Sequence, residues 1–354
     1  MNMGREIWFI RRLDELSRLR GYVKPERIDG AIRMDTNENL VMDEHLLKDI
    51  LLTVVDALDP RVYPEQYEEV REEIAGYLDV KKENIALGNG SDQLIDLVLS
   101  TLCRSTVTIK PTFTFYNDRC MLHSIDVKEV VLDDNLLFNP EDVIESGVDS
   151  CYICSPNNPT GNQFPKDTML YILDNFDGLI MVDEAYAEFA DYTLCHEAVK
   201  RGNLIVFRTF SKAFALAGCR VGYMIASEDI VEPFNRVVQY PYAISSISLA
   251  MASLILTKVE YVRRCIEYIR SERNRLYNAI NGIDGMKAFR SDANFILFTS
   301  THDSLYERLK DKGIYVRNVG DVASYRSCVR ASISSRDTND MLIDALKDIV
   351  KEGQ

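Results

Sequence analysis

Seven short apolar runs, separated by stretches with helical patterning, constrain what this chain can fold into more than any other feature. They lie at residues 84–87, 106–109, 128–132, 150–154, 179–182, 204–207 and 221–225. Helical stretches such as 92–102 and 166–175 stand between several of them. Short buried strands that alternate with helices demand a mostly parallel sheet with helices on both faces. The expected fold class is therefore α/β, built on a mostly parallel seven-stranded sheet.

At 354 residues the chain exceeds one ordinary core, so two domains are expected. The character changes near Ser245. Residues 247–280 lack strong breakers and carry many charges, which predicts one or two long helices. Short strands at 294–298, 313–317 and 328–332 follow, then a closing helix over 337–351. This reads as a second, smaller α+β domain. Near the N-terminus, Ile7, Ile10, Leu13 and Leu16 recur every three residues and predict a helix over 5–20. Residues 35–40 form a polar extended segment.

The net charge of −14 argues against a nucleic acid or an anionic membrane as partner. Any anion site must create local positive charge against that background. No apolar run approaches the ~20 residues of a membrane span. The run 7–10 is too short for a signal peptide and is followed at once by Arg11 and Arg12. Eight scattered cysteines fit free thiols and a cytoplasmic location. The close pair Cys151 and Cys154 sits in a strand-like run, where positions i and i+3 face opposite sides, so core packing is expected. The four histidines have no metal-type spacing, and no metal is expected.

Chemistry concentrates at the ends of the apolar runs. After 204–207 come hydroxyls at Thr209 and Ser211, an amine at Lys212 and a guanidinium at Arg220. That combination suits a phosphate-bearing aldehyde: the amine can condense with the carbonyl, and the hydroxyls and guanidinium can hold the phosphate. Leu87-Gly88-Asn89-Gly90-Ser91-Asp92 joins a strand to a helix, and a helix N-terminus presents free N–H groups to an anion. No G-K-[ST] follows, so it is not a P-loop. Asp183 ends a buried strand, where open α/β sheets place their ligands, and an unpartnered buried carboxylate is costly. Ser155-Pro156-Asn157-Asn158-Pro159-Thr160-Gly161 is a turn rich in ladder breakers.

The pattern S-K-x-x-x-x-x-G-x-R resembles the lysine motif of the fold-type-I pyridoxal-phosphate (PLP) aminotransferases. The fuller run S-K-A-F-x-L-A-G-x-R-x-G-Y is similar to the histidinol-phosphate aminotransferase branch. The order Tyr63, Gly90, Asn158, Asp183, Lys212, Arg220, Arg330 resembles that family from about Tyr22 to Arg330. The resemblance implies an N-terminal arm (1–40) that joins the small domain, a large PLP-binding domain (41–250) and a small domain (251–354). It implies that Lys212 carries PLP and then acts as general base, and that Asp183 pairs with the protonated pyridine nitrogen and keeps the ring an electron sink. Asn158 and Tyr186 reach the ring oxygen, and Phe113 stacks on the ring. Gly90, Ser91, Asp92, Thr209, Ser211 and Arg220 hold the phosphate. Tyr63 reaches the phosphate of the neighbouring subunit, so the active unit is a homodimer with shared sites. Arg330 grips the substrate carboxylate, with Asn294 beside it, Arg317 adding charge, Asn37 near the substrate and Tyr22 reaching a substrate phosphate across the dimer. The implied reaction is transamination between an amino donor and a 2-oxo acid: histidinol phosphate with 2-oxoglutarate or glutamate, in histidine biosynthesis.

Some positions depart from the pattern. The run N-E-N-P-Y-G is here Asn37-Glu38-Asn39-Leu40-Val41-Met42, Gln93 stands for a usual Glu, and Phe113 for a usual Tyr or Trp. Ala215 and Cys219 replace a usual Gly and Leu, and the run after Arg330 reads Ala331-Ser332-Ile333-Ser334. Three rivals share the residues: a broad aromatic or aspartate-type aminotransferase, a threonine-phosphate decarboxylase, and a regulator using the domain as a sensor. The regulator is disfavoured, because the motifs begin near residue 37 and the charge is wrong for DNA. Glu184 and Glu188 are expected to serve structure or solvent.

Overall fold

The computed structural model describes residues 3–18 and 30–352. All seven apolar runs are strands of one sheet, in the order Ile85–Asn89, Val221–Ile225, Leu204–Thr209, Leu179–Asp183, Ser150–Cys154, Ser105–Lys110, Asp126–Val131. Five of them run parallel to one another, and Val221–Ile225 is antiparallel to both its neighbours. Every residue of Ser150–Cys154, Leu204–Thr209 and Val221–Ile225 is buried, as strands covered on both faces must be. Cys151 and Ile153 join one core, Tyr152 and Cys154 the other. The two cysteines thus face opposite sides as expected, and all eight cysteines are free. The edge strand starts two residues before the expected 128–132, because its solvent side is charged and breaks the apolar signal.

A second sheet of four antiparallel strands runs in the order Arg317–Val322, Tyr325–Ser332, Phe295–Ser300, Met286–Ala288. The helices Val259–Asn281 and Arg336–Glu352 carry strongly one-sided apolar faces and pack on one another. The single strand expected at 313–317 is two. Ile314–Tyr315 pairs in parallel with Ile32–Arg33, and Arg317–Val322 then enters the four-stranded sheet. Nothing local marks that break; the partner strand lies almost three hundred residues upstream. The helix expected over 5–20 runs Met3–Arg18, with Trp8, Phe9, Ile10 and Leu13 exposed. No helix among the described residues is long and apolar enough to cross a membrane.

Candidate active site

Three central strands end at the same level. Cys154, Asp183 and Phe207 are register partners across the sheet, and the loops leaving these strands carry Asn158, Tyr186 and Lys212. The antiparallel strand starts at that same edge, just after Arg220, and the helix Gly90–Leu102 begins beside it. Two glycines permit the approach. A Cβ on Gly222 would lie 2.2 Å from the Ser91 nitrogen, so only Gly lets the helix N-terminus sit on the strand. Gly90 has φ +77°, and a Cβ there would meet the Arg220 guanidinium at 2.6 Å. The G-x-R-x-G-Y spacing is thus a packing requirement as well as a chemical one.

These ends open on a cavity of ≈ 500 Å³, within the usual range for small-molecule sites. At one end lie the first helical turn at Ser91 and Asp92, the hydroxyls of Thr209 and Ser211, and Arg220. Thr209 Oγ1 and Ser211 Oγ are 3.0 Å apart, and Arg220 Nη1 donates to Ser211 Oγ at 3.4 Å. Arg220 Nη2 donates to Asp92 Oδ2 at 3.0 Å. The carboxylate of Asp92 therefore orients Arg220, and what Asp92 can offer an anion is its backbone N–H in the first helical turn. Gln93 accepts from the Asn89 N–H at 2.7 Å, a local role that needs no Glu.

Lys212 lines the middle of the cavity and donates to the Thr36 carbonyl at 3.2 Å. Desolvation, then the nearby Arg330 charge, lowers its amine to about 8. A lysine so shifted holds a usable fraction of neutral, nucleophilic amine near neutral pH. Asp183 is buried, and burial pushes its carboxyl up to about 6, against two hydrogen bonds that favour the ionised form. Those come from the Tyr152 hydroxyl to Oδ2 at 2.7 Å and the Ala185 N–H to Oδ1 at 3.0 Å.

The remaining wall is a hydrogen-bonded network between the two sheets. Arg330 donates to Asn158 Oδ1 and, at 2.7 Å, to the Asp35 carbonyl, and its guanidinium lies over the Phe295 ring. Asn37 donates to the Tyr186 hydroxyl at 3.0 Å. Arg317 is the register partner of Arg330, and both line the cavity. Phe113 lines it too, from the start of the helix Thr114–His123, next to Phe115.

Two expected side chains stand elsewhere, and a third falls outside the described residues. Asn294 is fully buried and outside the cavity lining, where its amide donates to the Asn37 carbonyl at 3.0 Å. Tyr63 is 72 % exposed, stacked on Tyr242 with centroids 4.5 Å apart, and does not line this chain's own cavity. Tyr22 lies outside the described residues. Other residues were not anticipated: Asp35, Thr36, Phe115, Asn318 and Val319 in the lining, Tyr152 behind Asp183, and the buried cluster of Arg208 with Glu184 and Glu188. The available signal for that cluster is an arginine directly after the apolar run 204–207. Among the described residues, no group of His, Cys, Asp and Glu could hold a metal.

The residues fit PLP. A cradle of hydroxyls, guanidinium and helix N–H groups suits its phosphate, a low-pKa amine its aldehyde, and a buried carboxylate its ring nitrogen. Residues 30–346 match the family Aminotransferase class I and II. The chain is 35% identical over 328 residues to histidinol-phosphate aminotransferase of Ruminiclostridium cellulolyticum, covering 89% of this chain and 91% of that one. A solved histidinol-phosphate aminotransferase of Clostridium acetobutylicum superposes with a TM-score of 0.83 at 27% identity, over 91% of this chain and 99% of that one. Another, from Sinorhizobium meliloti in complex with PLP, shares the fold with a TM-score of 0.85 at 22% identity, over 96% and 97%. The amine at the centre of the cavity and the match over nearly all the described chain lead to one conclusion: the chain belongs to the class I and II aminotransferases, and it is a PLP-dependent enzyme that transfers amino groups.

Proposed function

We propose that the enzyme moves an amino group between histidinol phosphate and the 2-oxoglutarate–glutamate pair, as a step of histidine biosynthesis. The observation that carries this reading is the pair Arg317 and Arg330, in register on adjacent strands and both lining the cavity. In a chain of net charge −14, two guanidiniums converging on one cavity mark an anionic ligand. A guanidinium fork fits carboxylate and phosphate alike. One pair therefore serves a glutamate carboxylate in one half of the cycle and a phosphate ester in the other. Likeness to histidinol-phosphate aminotransferases at 35% identity supports that substrate.

PLP, when bound, supplies an aldehyde that captures the substrate amine and a protonated ring that takes up electrons. In this reading Lys212 carries the cofactor. Its Nζ would take the proton from the amine-bearing carbon of the substrate and deliver it to the cofactor carbon that bore the aldehyde oxygen. Asp183 holds the proton of the ring nitrogen. Asn158, whose amide oxygen is committed to Arg330, donates its N–H to the ring oxygen together with Tyr186. Phe113 stacks on the ring. The backbone of Gly90, Ser91 and Asp92, with Thr209, Ser211 and Arg220, holds the phosphate. Asn37 touches substrate, and Asn294 acts by holding Asn37.

The active unit in this reading is a homodimer, with Tyr63 and Tyr22 crossing to the neighbouring site. Exposed Val62, Tyr63, Tyr240 and Tyr242, and the bare apolar residues of the helix Met3–Arg18, support it, because clustered exposed apolar side chains mark interfaces. Eight free cysteines support a cytoplasmic location. In this reading an N-terminal arm (1–40) joins the small domain (251–354), and the boundary with the large domain (41–250) falls within the helix Ser246–Leu256.

A half-reaction screen tests the substrate. The PLP form is mixed with single amines and the cofactor absorbance followed. Rapid conversion by histidinol phosphate and glutamate is expected. Conversion by phenylalanine or tyrosine but not by histidinol phosphate would reassign the enzyme to the aromatic aminotransferases. Release of carbon dioxide from threonine phosphate would make it a decarboxylase.

A further inference from the structure

Tyr152 has no part in the chemistry described above, yet its ring is fully buried and stacked on another. It is 0 % exposed, in the middle of the strand Ser150–Cys154. It stacks on Tyr116 with centroids 3.9 Å apart and planes 12° apart, and the Tyr116 hydroxyl meets Thr106 Oγ1 at 2.6 Å. Central positions of parallel strands are ordinarily aliphatic. A phenol there must find an acceptor, where Phe would fill nearly the same volume without that need. The acceptor is Asp183 Oδ2, at 2.7 Å.

We propose that Tyr152 is a positioning residue, whose phenol holds Asp183 in one orientation as an acceptor-only carboxylate and so sets how strongly the site binds a protonated pyridine nitrogen. This rests on the reading that Asp183 meets the ring nitrogen. The geometry is specific. Each carboxylate oxygen has one protein donor, Tyr152 on Oδ2 and the Ala185 N–H on Oδ1. With a donor on each oxygen the group cannot turn, and further lone pairs remain for a ligand. Both donors favour the ionised form, and burial opposes them. The other titratable groups that face Asp183 are few. Asp92, from the helix Gly90–Leu102, makes ionisation harder, and Lys212, after the strand Leu204–Thr209, makes it easier. Cys154, beside it on the sheet, and Tyr186 are held protonated by burial. The Tyr152 hydroxyl is therefore the main side-chain donor that keeps Asp183 charged.

The test is the dissociation constant of PLP against pH, by equilibrium dialysis, for wild type, Tyr152→Phe, Asp183→Asn and the double variant. Phe keeps the ring and its stack. In wild type, affinity falls on the acid side as Asp183 takes up a proton. Losing a hydrogen bond to a charged acceptor raises the carboxyl pKa, so in Tyr152→Phe that acid limb moves up by on the order of one pH unit. Between the two limbs PLP binds roughly tenfold more weakly, and on the alkaline side affinity stays near wild type. In Asp183→Asn only the pH dependence owed to Lys212 and the phosphate remains, and adding Tyr152→Phe moves nothing further with pH. A uniform loss at every pH, or unchanged curves, would make Tyr152 a packing residue and overturn the proposal. A curve for Asp183→Asn that coincides with that of wild type would overturn the ring-nitrogen assignment, and the proposal with it. A limb that Asp183 owns and Tyr152→Phe leaves in place would overturn the proposal alone.

Discussion

At the scale of single residues, the reactivity of Lys212 is set by what surrounds it. Desolvation and Arg330 together bring its amine to about 8 from the ordinary lysine range. The charge of Arg330 disfavours the ammonium form, so removing it lets Lys212 keep its proton to higher pH. For Arg330→Ala, capture of PLP by the apoprotein should therefore need more alkaline solution than in wild type. Stopped-flow absorbance across pH 6–10 reads this directly. The same variant should lose roughly ten- to a hundredfold in kcat/KM toward both histidinol phosphate and glutamate, as loss of a charge-assisted fork predicts. Arg330→Lys should recover the pH profile better than the kcat/KM, because an ammonium restores the charge and not the fork. A loss confined to glutamate would place the phosphate elsewhere, with Arg317 and Tyr22 next in line.

At the scale of elements, the turn that follows Asp183 is pinned from below by charge. Arg208, in the strand Leu204–Thr209, donates to Glu184 at 3.0 Å, to Glu188 at 2.7 Å and to Thr193 at 2.9 Å, all within a nearly closed interior. Expected only to serve structure or solvent, the two glutamates are wholly structural and buried. They anchor the segment that presents Asp183 and Tyr186 to the cavity. Removing one side of a buried ion pair leaves uncompensated charge, so Arg208→Ala should cost about 3–5 kcal/mol in urea unfolding of the apoprotein. The pH dependence follows from Glu188, whose carboxyl burial already pushes above its ordinary range. Without Arg208 that folded-state pKa rises further. Because it lies above the unfolded value, the deficit is small in acid and grows as pH rises through the carboxylate range. A variant whose deficit does not grow with pH would show that packing, rather than charge, was lost.

At the scale of the whole molecule, the prediction concerns a second copy. Tyr63 does not line this chain's own cavity, and it and Tyr242, on which it stacks, are both exposed. If Tyr63 serves the neighbouring site, Lys212→Ala and Tyr63→Ala chains should complement one another. Each mixed dimer then holds one complete site, with the lysine of one chain and the tyrosine of the other. After random reassembly half the dimers are mixed, so about a quarter of wild-type activity should return. No recovery after verified subunit exchange would mean that Tyr63 acts within its own chain, and full activity of Tyr63→Ala alone would mean that it has no role.

How the chain divides between local and distant information follows from these cases. The sequence by itself determined the seven strands of the large sheet, because burial on both faces writes itself into short apolar runs. It also marked residues that the structure gathers around one cavity, because each sits at a strand end or in a turn whose chemistry is local: Lys212 with its hydroxyls, Ser91 and Asp92 in their first helical turn, Asp183 at the close of its strand. Tertiary structure alone decided which side of the cavity each residue serves. Asn294 holds Asn37 instead of lining the cavity, and Asp92 orients Arg220 through its carboxylate. The split of 313–317 between two sheets, the donor behind Asp183 and the charges beneath Glu184 were decided there too. The physical reason is the same throughout. A hydrogen bond across tens or hundreds of residues leaves no period and no spacing in the chain, and only the pairing of strands and the packing of elements in three dimensions bring its two ends to hydrogen-bond distance.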